Sequence, residues 1–421
     1  MLEELQKRPF ARPLFWWIAG ILLQVCFPLQ QLSWLLFIVV AIFVTLSLFL
    51  AGRPSAMSYQ YRWVWGMVIT CCLLFLSIKT TYIAEQQMSA PRSSGWLEEQ
   101  AKVAQSKMVS RLDSLHLSDD EKSVLATLTI NYRKALSREA RNKFTTTGVA
   151  HILSVSGYHV GIVGGLLAFL FSVFPRRPLF NWLKYIITML LLWAFTYIAG
   201  LESPAVRAAM MFSIYLTGQV LKLNPERYNT LAATAFCMLV YNPLYLFDIG
   251  FQLSFTAVFF LLYLQPKLYR MFELRNAVIK SFWGIVTVTV AAQTGTIFLS
   301  CYYFGATSTV FLFTNLLLSL LATLLIPLAL IWMLLPQGIP GSGILQWAVE
   351  VSTKGMMEVV NRFAQIPGAT VELRFDLITM LSAYAILGFV LYYFQTKRIK
   401  ILFAALLLVL FLIGRQIFFT L

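Results

Sequence analysis

The side chains best suited to chemistry gather in one short stretch. His151-Ile-Leu-Ser-Val-Ser-Gly-Tyr-His-Val-Gly161 holds two of the chain's three histidines, with Ser154 and Ser156 between them. A serine nucleophile needs a base within reach, and either serine could in principle meet His151 or His159. A metal pair is a poorer fit, because residues eight apart sit roughly 80° from each other around an unbroken helix. No H-x-H-x-D-H, H-E-x-x-H or paired-cysteine pattern occurs anywhere. The residues therefore call for no metal and no cofactor, and the case for hydrolysis rests on residue type alone.

Three more polar clusters interrupt apolar runs. In Gly200-Leu-Glu-Ser-Pro-Ala-Val-Arg207, Ser203 suits a helix cap, Pro204 its first turn, and Arg207 follows one turn in. In the stretch Asn242 to Ser254, Pro243 ends one helix, Gly250 permits a turn, and Asp248 and Gln252 stand four apart. The last comprises Gln293 with Thr296, then Tyr303 to Gly305, and Asn315. Polar groups in lipid are costly without a partner or a purpose. Any one of them could simply tie helices together by buried hydrogen bonds. Four clusters in one chain favour a shared polar interior, lined by His151, Ser154, Ser156, His159, Arg207, Asp248, Gln252, Ser254, Gln293 and Asn315.

The elements that must position these residues are membrane helices. With 59% hydrophobic and 12% charged residues over 421 positions, the chain is too apolar for a soluble core. The spacing predicts an all-α, polytopic helical membrane protein with about eleven membrane segments, short or re-entrant helices among them. Residues 1–84 supply N-terminal membrane helices, beginning with a retained anchor at Leu14 to Phe27 that lacks a small-residue cleavage site. Ser33 to Ala51 and Trp63 to Ala84 are near the ~20 residues a span requires. Residues 85–147 form an external amphipathic helical segment, in which Ser118-Asp-Asp-Glu121 reads as a capping box. Residues 148–335 form the core. Within it Thr309 to Leu335 fits either a hairpin before a helix on the outer face, which four charges over five turns favour, or one long span before a polar crossing; an amphipathic interfacial segment follows at 336–375 and C-terminal membrane helices at 376–421. The five cysteines sit in or beside apolar runs and read as inert.

A net charge of +15 invites a nucleic-acid reading, but topology accounts for most of it. With the amino terminus in the cytoplasm, the inner segments carry 17 Lys or Arg against four carboxylates. That is the positive-inside rule at work.

The strings HILSVSGYHVGIV from His151, G-x-x-S-P-x-V-R-A-A-x-M from Gly200 and NP-x-x-L-x-D-x-GFQLSF-x-AV from Asn242 together resemble the competence domain of the ComEC-type competence proteins. The resemblance covers roughly residues 120 to 335. It implies a multi-pass bacterial inner-membrane channel that takes up single-stranded transforming DNA during natural competence and is not an enzyme. It departs from the family in Asn242-Pro243, where Asp-Pro is usual, and residues 85–117 leave no room for the external OB-like domain many members carry. Separate partners would then supply the DNA receptor, the nuclease and the cytoplasmic translocation motor around this chain in the lipid bilayer. Arg207 is expected to touch phosphate, and His151, His159, Asp248, Gln252 and Gln293 to form the walls or the bonds that shape them. A transporter of another polymer or of lipid, or an intramembrane hydrolase using Ser154 or Ser156, are the competing readings.

Overall fold

The computed structural model describes residues 8–27, 37–39, 41–42, 44–45, 62–88, 96–173, 178–201, 203–222, 226–336, 339 and 341–420. Most of the crossing expected at Ser33 to Ala51 lies outside these residues, as does Glu202. In chain order the helices are α1 (Ala11–Cys26), α2 (Arg62–Met88), α3 (Trp96–Ser110), α4 (Asp119–Ile130), α5 (Arg138–Thr146), α6 (Gly157–Leu170), α7 (Pro178–Ile198), α8 (Ser203–Val220), α9 (Arg227–Tyr241), α10 (Ile249–Tyr263) and α11 (Gln265–Tyr269). There follow α12 (Ala277–Phe304), β1 (Ala306–Ser308), α13 (Phe311–Leu334), α14 (Ser342–Ala364), β2 (Thr370–Glu372), α15 (Leu377–Thr396) and α16 (Ile399–Thr420). Six helical stretches among the described residues are long and apolar enough to cross a bilayer: 64–87, 180–198, 249–269, 277–304, 311–334 and 377–396. Shorter apolar helices at Ala11–Cys26 and Gly157–Val173 accompany them. The chain is an all-α polytopic membrane protein.

It divides into two compact units. The first takes the chain up to Ser114, then Leu128–Tyr132 and Val155–Phe255. Its centre is Trp17 and Ile21 of α1 packed with Ala235, Met238 and Leu239 of α9 and Phe251 of α10. The indole Nε1–H of Trp17 donates to the Leu239 carbonyl at 3.1 Å, so the buried ring brings no orphan donor. Gly20 lets α2 approach, because a Cβ there would stand 2.8 Å from the Ser77 side chain. Gly164 does the same for α6 and α8, where a Cβ would meet Phe212 at 2.8 Å.

The second unit comprises Leu115–Thr127, Arg133–Ser154 and Thr256–Leu421. Its α13 is one uninterrupted helix carrying Pro327, not the hairpin that the sequence led us to expect. The residues around Pro327 include no glycine or asparagine to make a turn, and a membrane helix tolerates the one missing donor. Helix α14 packs along α13 through Val349, Thr353, Met356, Met357 and Val360, while Glu358 and Arg362 pair on its exposed face at 2.6 Å. The far ends of this helical pair are stitched by β1 and β2, antiparallel with Thr307 opposite Val371. Further along, the Tyr384 hydroxyl of α15 donates to the Gly295 carbonyl of α12 at 2.5 Å. Arg415 of α16 grips Asp376, the N-cap of α15, with both Nη atoms. The hydrogen bonds from Arg415, with those from Thr379, hold the Asp376 carboxyl well below the usual range.

The segment read as external is more deeply packed than its amphipathic pattern implied. The capping box is present: Ser118 N–H donates to Glu121 Oε2 at 2.8 Å and Glu121 N–H to Ser118 Oγ at 3.4 Å. Beyond it every residue from Ser123 to Asn131 is buried. The threonines of this helix are buried. Thr127 Oγ1 donates back to the Ser123 carbonyl at 2.6 Å, which satisfies the hydroxyl inside its own helix. Further upstream, the backbone N–H of His116 donates to Glu350 Oε1 of α14 at 2.9 Å. Burial acts to raise the Glu350 pKa, but hydrogen bonds from Gln346 and His116 outweigh it and lower the value.

Candidate functional site

The polar residues of the first unit build a cap and a corner. Ser156 opens α6, and its Oγ accepts from the Tyr158 N–H at 3.3 Å. His159, fully buried, turns back so that Nδ1 accepts the Ser156 N–H at 3.2 Å and stands 3.1 Å from Ser156 Oγ. This is a capping box with histidine where glutamate is usual. The Nδ1 lone pair that could act as a base is occupied by a backbone donor. Serine and histidine here are within reach of one another, yet their bonds start a helix.

The corner joins α8 to the turn before α10. Asn242 Oδ1 accepts from the Leu244 N–H at 3.1 Å, starting a 3-10 turn over Pro243–Phe247. Asp248 then caps α10, accepting from the Phe251 N–H at 2.7 Å, and Gln252 Nε2 reaches back to the Leu246 carbonyl at 3.0 Å. Into this corner comes Arg207, 2% exposed, with Nη1 3.7 Å from Asp248 Oδ1. Gly250 leaves the space, since a Cβ there would lie 3.1 Å from Asp248 Oδ1 and 3.4 Å from Arg207 Nη2. The Arg207 guanidinium, expected from the sequence to touch phosphate, is enclosed beside a carboxylate. Ser254 is half-buried on α10, one turn beyond Gly250.

The second unit holds a neutral cluster. The His151 side chain hydrogen-bonds the Asn315 side chain and the Gly148 backbone. Protein packed around the ring pushes its pKa down, against these bonds, although the residue keeps an accessible face. Asn315 Nδ2 donates to Thr289 Oγ1 of α12 at 2.8 Å. Gln293 lies one turn along α12 from Thr289, half-buried on the same side. Ser154 Oγ closes its own turn on the His151 carbonyl at 3.1 Å. Thr289 was not picked out from the sequence. Its only signal was its place one turn before Gln293. Gly148 was missed too: at φ +75° it takes a left-handed conformation, and a Cβ would fall 2.7 Å from Ser308 and 2.8 Å from Phe311.

Thus Ser156 meets His159, Arg207 meets Asp248, and His151 meets Asn315. Among the described residues no group of three His, Cys, Asp or Glu side chains gathers closely enough to hold a metal ion.

Apolar helices enclosing polar corners that are bonded internally define a multi-pass membrane protein with polar sites between its helices. A family model described as "Competence protein" matches residues 128–398, more than half of the chain and all ten candidate residues, and the chain belongs to that family. It is 31% identical over 198 residues to ComE operon protein 3 of Bacillus subtilis (strain 168), covering 47% of this chain and 24% of that one. It is 26% identical over 162 residues to Recombination protein 2 of Haemophilus influenzae (strain ATCC 51907 / DSM 11121 / KW20 / Rd), covering 36% and 20%. The chain therefore matches only about a quarter or less of each relative's length. No solved structure matches.

Proposed function

We propose that this chain is the channel core through which single-stranded DNA crosses the bacterial inner membrane during natural competence. The observation that carries the reading is family membership over a region that includes every polar cluster. Supporting it, the polar side chains lie on or beside apolar helices, and Arg207 among them is buried next to the Asp248 carboxylate. A strand shedding water and counterions is suited by a polar wall with few fixed charges of its own. We assign the chain no catalytic step: Ser156 and His159 are committed to a helix cap, and Arg207 and Asp248 to a corner. Separate proteins would capture DNA outside, degrade the discarded strand and pull the other strand inward. The test is deletion of the gene followed by transformation with genomic DNA. Transformants should disappear and return on complementation, while DNA delivered by electroporation still transforms. Normal transformation in the deletion strain would overturn the proposal.

A further inference from the structure

The charge in the stretch ahead of His151 is not explained by topology. Residues 96–130 carry four Lys or Arg against six carboxylates, whereas residues 131–147 carry five against Glu139 alone. Glu139 is taken by Lys143, one turn along, at 2.8 Å. Among the described residues no carboxylate pairs with Lys134, Arg138 or Arg141.

Helix α5 presents these charges in one direction. Ala140 and Phe144 are its buried side. Arg138, Arg141, Asn142 and Thr145 are exposed and recur at the spacing of a single helix face. The helix is also fixed in place. Thr370 Oγ1 of β2 donates to the Thr146 carbonyl at 3.2 Å, and Gly148 packs against Ser308 and Phe311.

That places α5 beside the strand pair, at the end of α12 opposite the basic stretch Arg270, Arg275 and Lys280. By the loop-charge rule the basic end is cytoplasmic, so α5 lies on the side where lysine and arginine are ordinarily scarce. Cations fixed on that side, unpaired and facing outward, fit a polyanion. Arginine favours phosphate in particular, through its planar fork of donors.

We propose that the outer face of α5, through Arg138 and Arg141 with Asn142 and Thr145 beside them, docks the phosphate backbone of single-stranded DNA just ahead of His151. The proposal rests on the uptake reading above and adds where the strand first lands.

The test uses the full chain in nanodiscs of neutral phosphatidylcholine and the anisotropy of a fluorescent thymidine oligonucleotide over a range of salt. The R138Q/R141Q variant should bind more weakly at low salt. Its log affinity should fall less steeply with log salt, by about 1.4 in slope for two lost contacts to a single strand. Asn142→Glu, a surface change that keeps both arginines, should weaken binding in the same direction. Wild-type binding with an unchanged slope in both variants would overturn the landing site and leave the uptake reading standing. No binding by the wild-type chain would overturn both. In nanodiscs containing phosphatidylglycerol, loss of bound anionic lipid from R138Q/R141Q with oligonucleotide affinity unchanged would assign the face to lipid headgroups instead. A cysteine at Asn142 should react with an impermeant maleimide applied to intact cells, and protection there would also overturn the proposal.

Discussion

The corner at Arg207 and the cluster at His151 accommodate ionisable side chains among apolar helices by opposite means. Arg207 is enclosed and compensated by the half-exposed Asp248, whose carboxylate also caps α10. The protein around His151 lowers its pKa, and the ring shares hydrogen bonds with Asn315, which in turn binds Thr289. A buried charge fixes its surroundings, since moving Asp248 away would leave the Arg207 guanidinium in a medium that cannot solvate it. A neutral cluster can exchange partners at little cost, because each bond is worth only about 0.6 kcal/mol on average between membrane helices. The first arrangement suits a brace and the second a surface past which something moves.

Substitutions at four positions would break or sharpen that contrast. The largest effect is expected from Asp248→Leu, which removes both the cap and the charge facing Arg207. The buried Arg207 guanidinium is then left without its carboxylate, and although the half-exposure of Asp248 tempers the cost, less protein should be found in the membrane fraction on immunoblots. Asp248→Asn keeps a good capping side chain and should retain more protein than Asp248→Leu. Equal loss in the two would show that the charge, not the cap, carries the corner.

Next comes Gly148→Ala. The left-handed backbone alone costs about 1–2 kcal/mol for a residue with a Cβ, and the close approach to Ser308 and Phe311 adds to it. A lowered unfolding midpoint in detergent is the readout. Asn315→Leu should be milder for stability, at about 1 kcal/mol, and stronger for function. DNA uptake should fall several-fold at near-normal protein abundance, and a parallel drop in both would reduce Asn315 to a helix tie.

The smallest effect concerns pH. The folded pKa of His151 lies below the ordinary value of about 6.5, so the unfolded chain takes up a proton first as pH falls. The contribution of this group is complete above that value and is lost on acidification toward the lower, folded pKa. Melting of the wild-type chain between about pH 7.5 and 5.5 should therefore show a drop that His151→Asn lessens. An identical drop in the variant would assign the pH dependence elsewhere.

The membrane architecture was legible because long apolar runs and basic loops are local signals, as was the cap at Ser118; the caps at Ser156 and Asp248 emerged only from the structure. What paired with what was not legible, since Arg207 and Asp248 or His151 and Asn315 meet only through the packing of distant helices. Thr196, Thr234 and Thr314 are fully buried, and each bonds the carbonyl four residues back, so they mark no path. The same chemistry let Ser123 to Asn131 be buried although the pattern resembled a surface helix. Arg415 and Asp376 were passed over because a lone arginine near the end of an apolar run looks like a flank until its partner is seen.

The central claim is that this chain by itself offers a single strand a way through the membrane. Its most direct test is reconstitution of the purified protein in sealed vesicles, followed by an external labelled oligonucleotide and then an external nuclease. Single-stranded oligonucleotide should become protected in proportion to inserted protein, duplex of the same length should not, and Asn315→Leu should reduce the protected fraction. Inserted protein that protects no single strand, or that admits duplex equally well, would contradict the account.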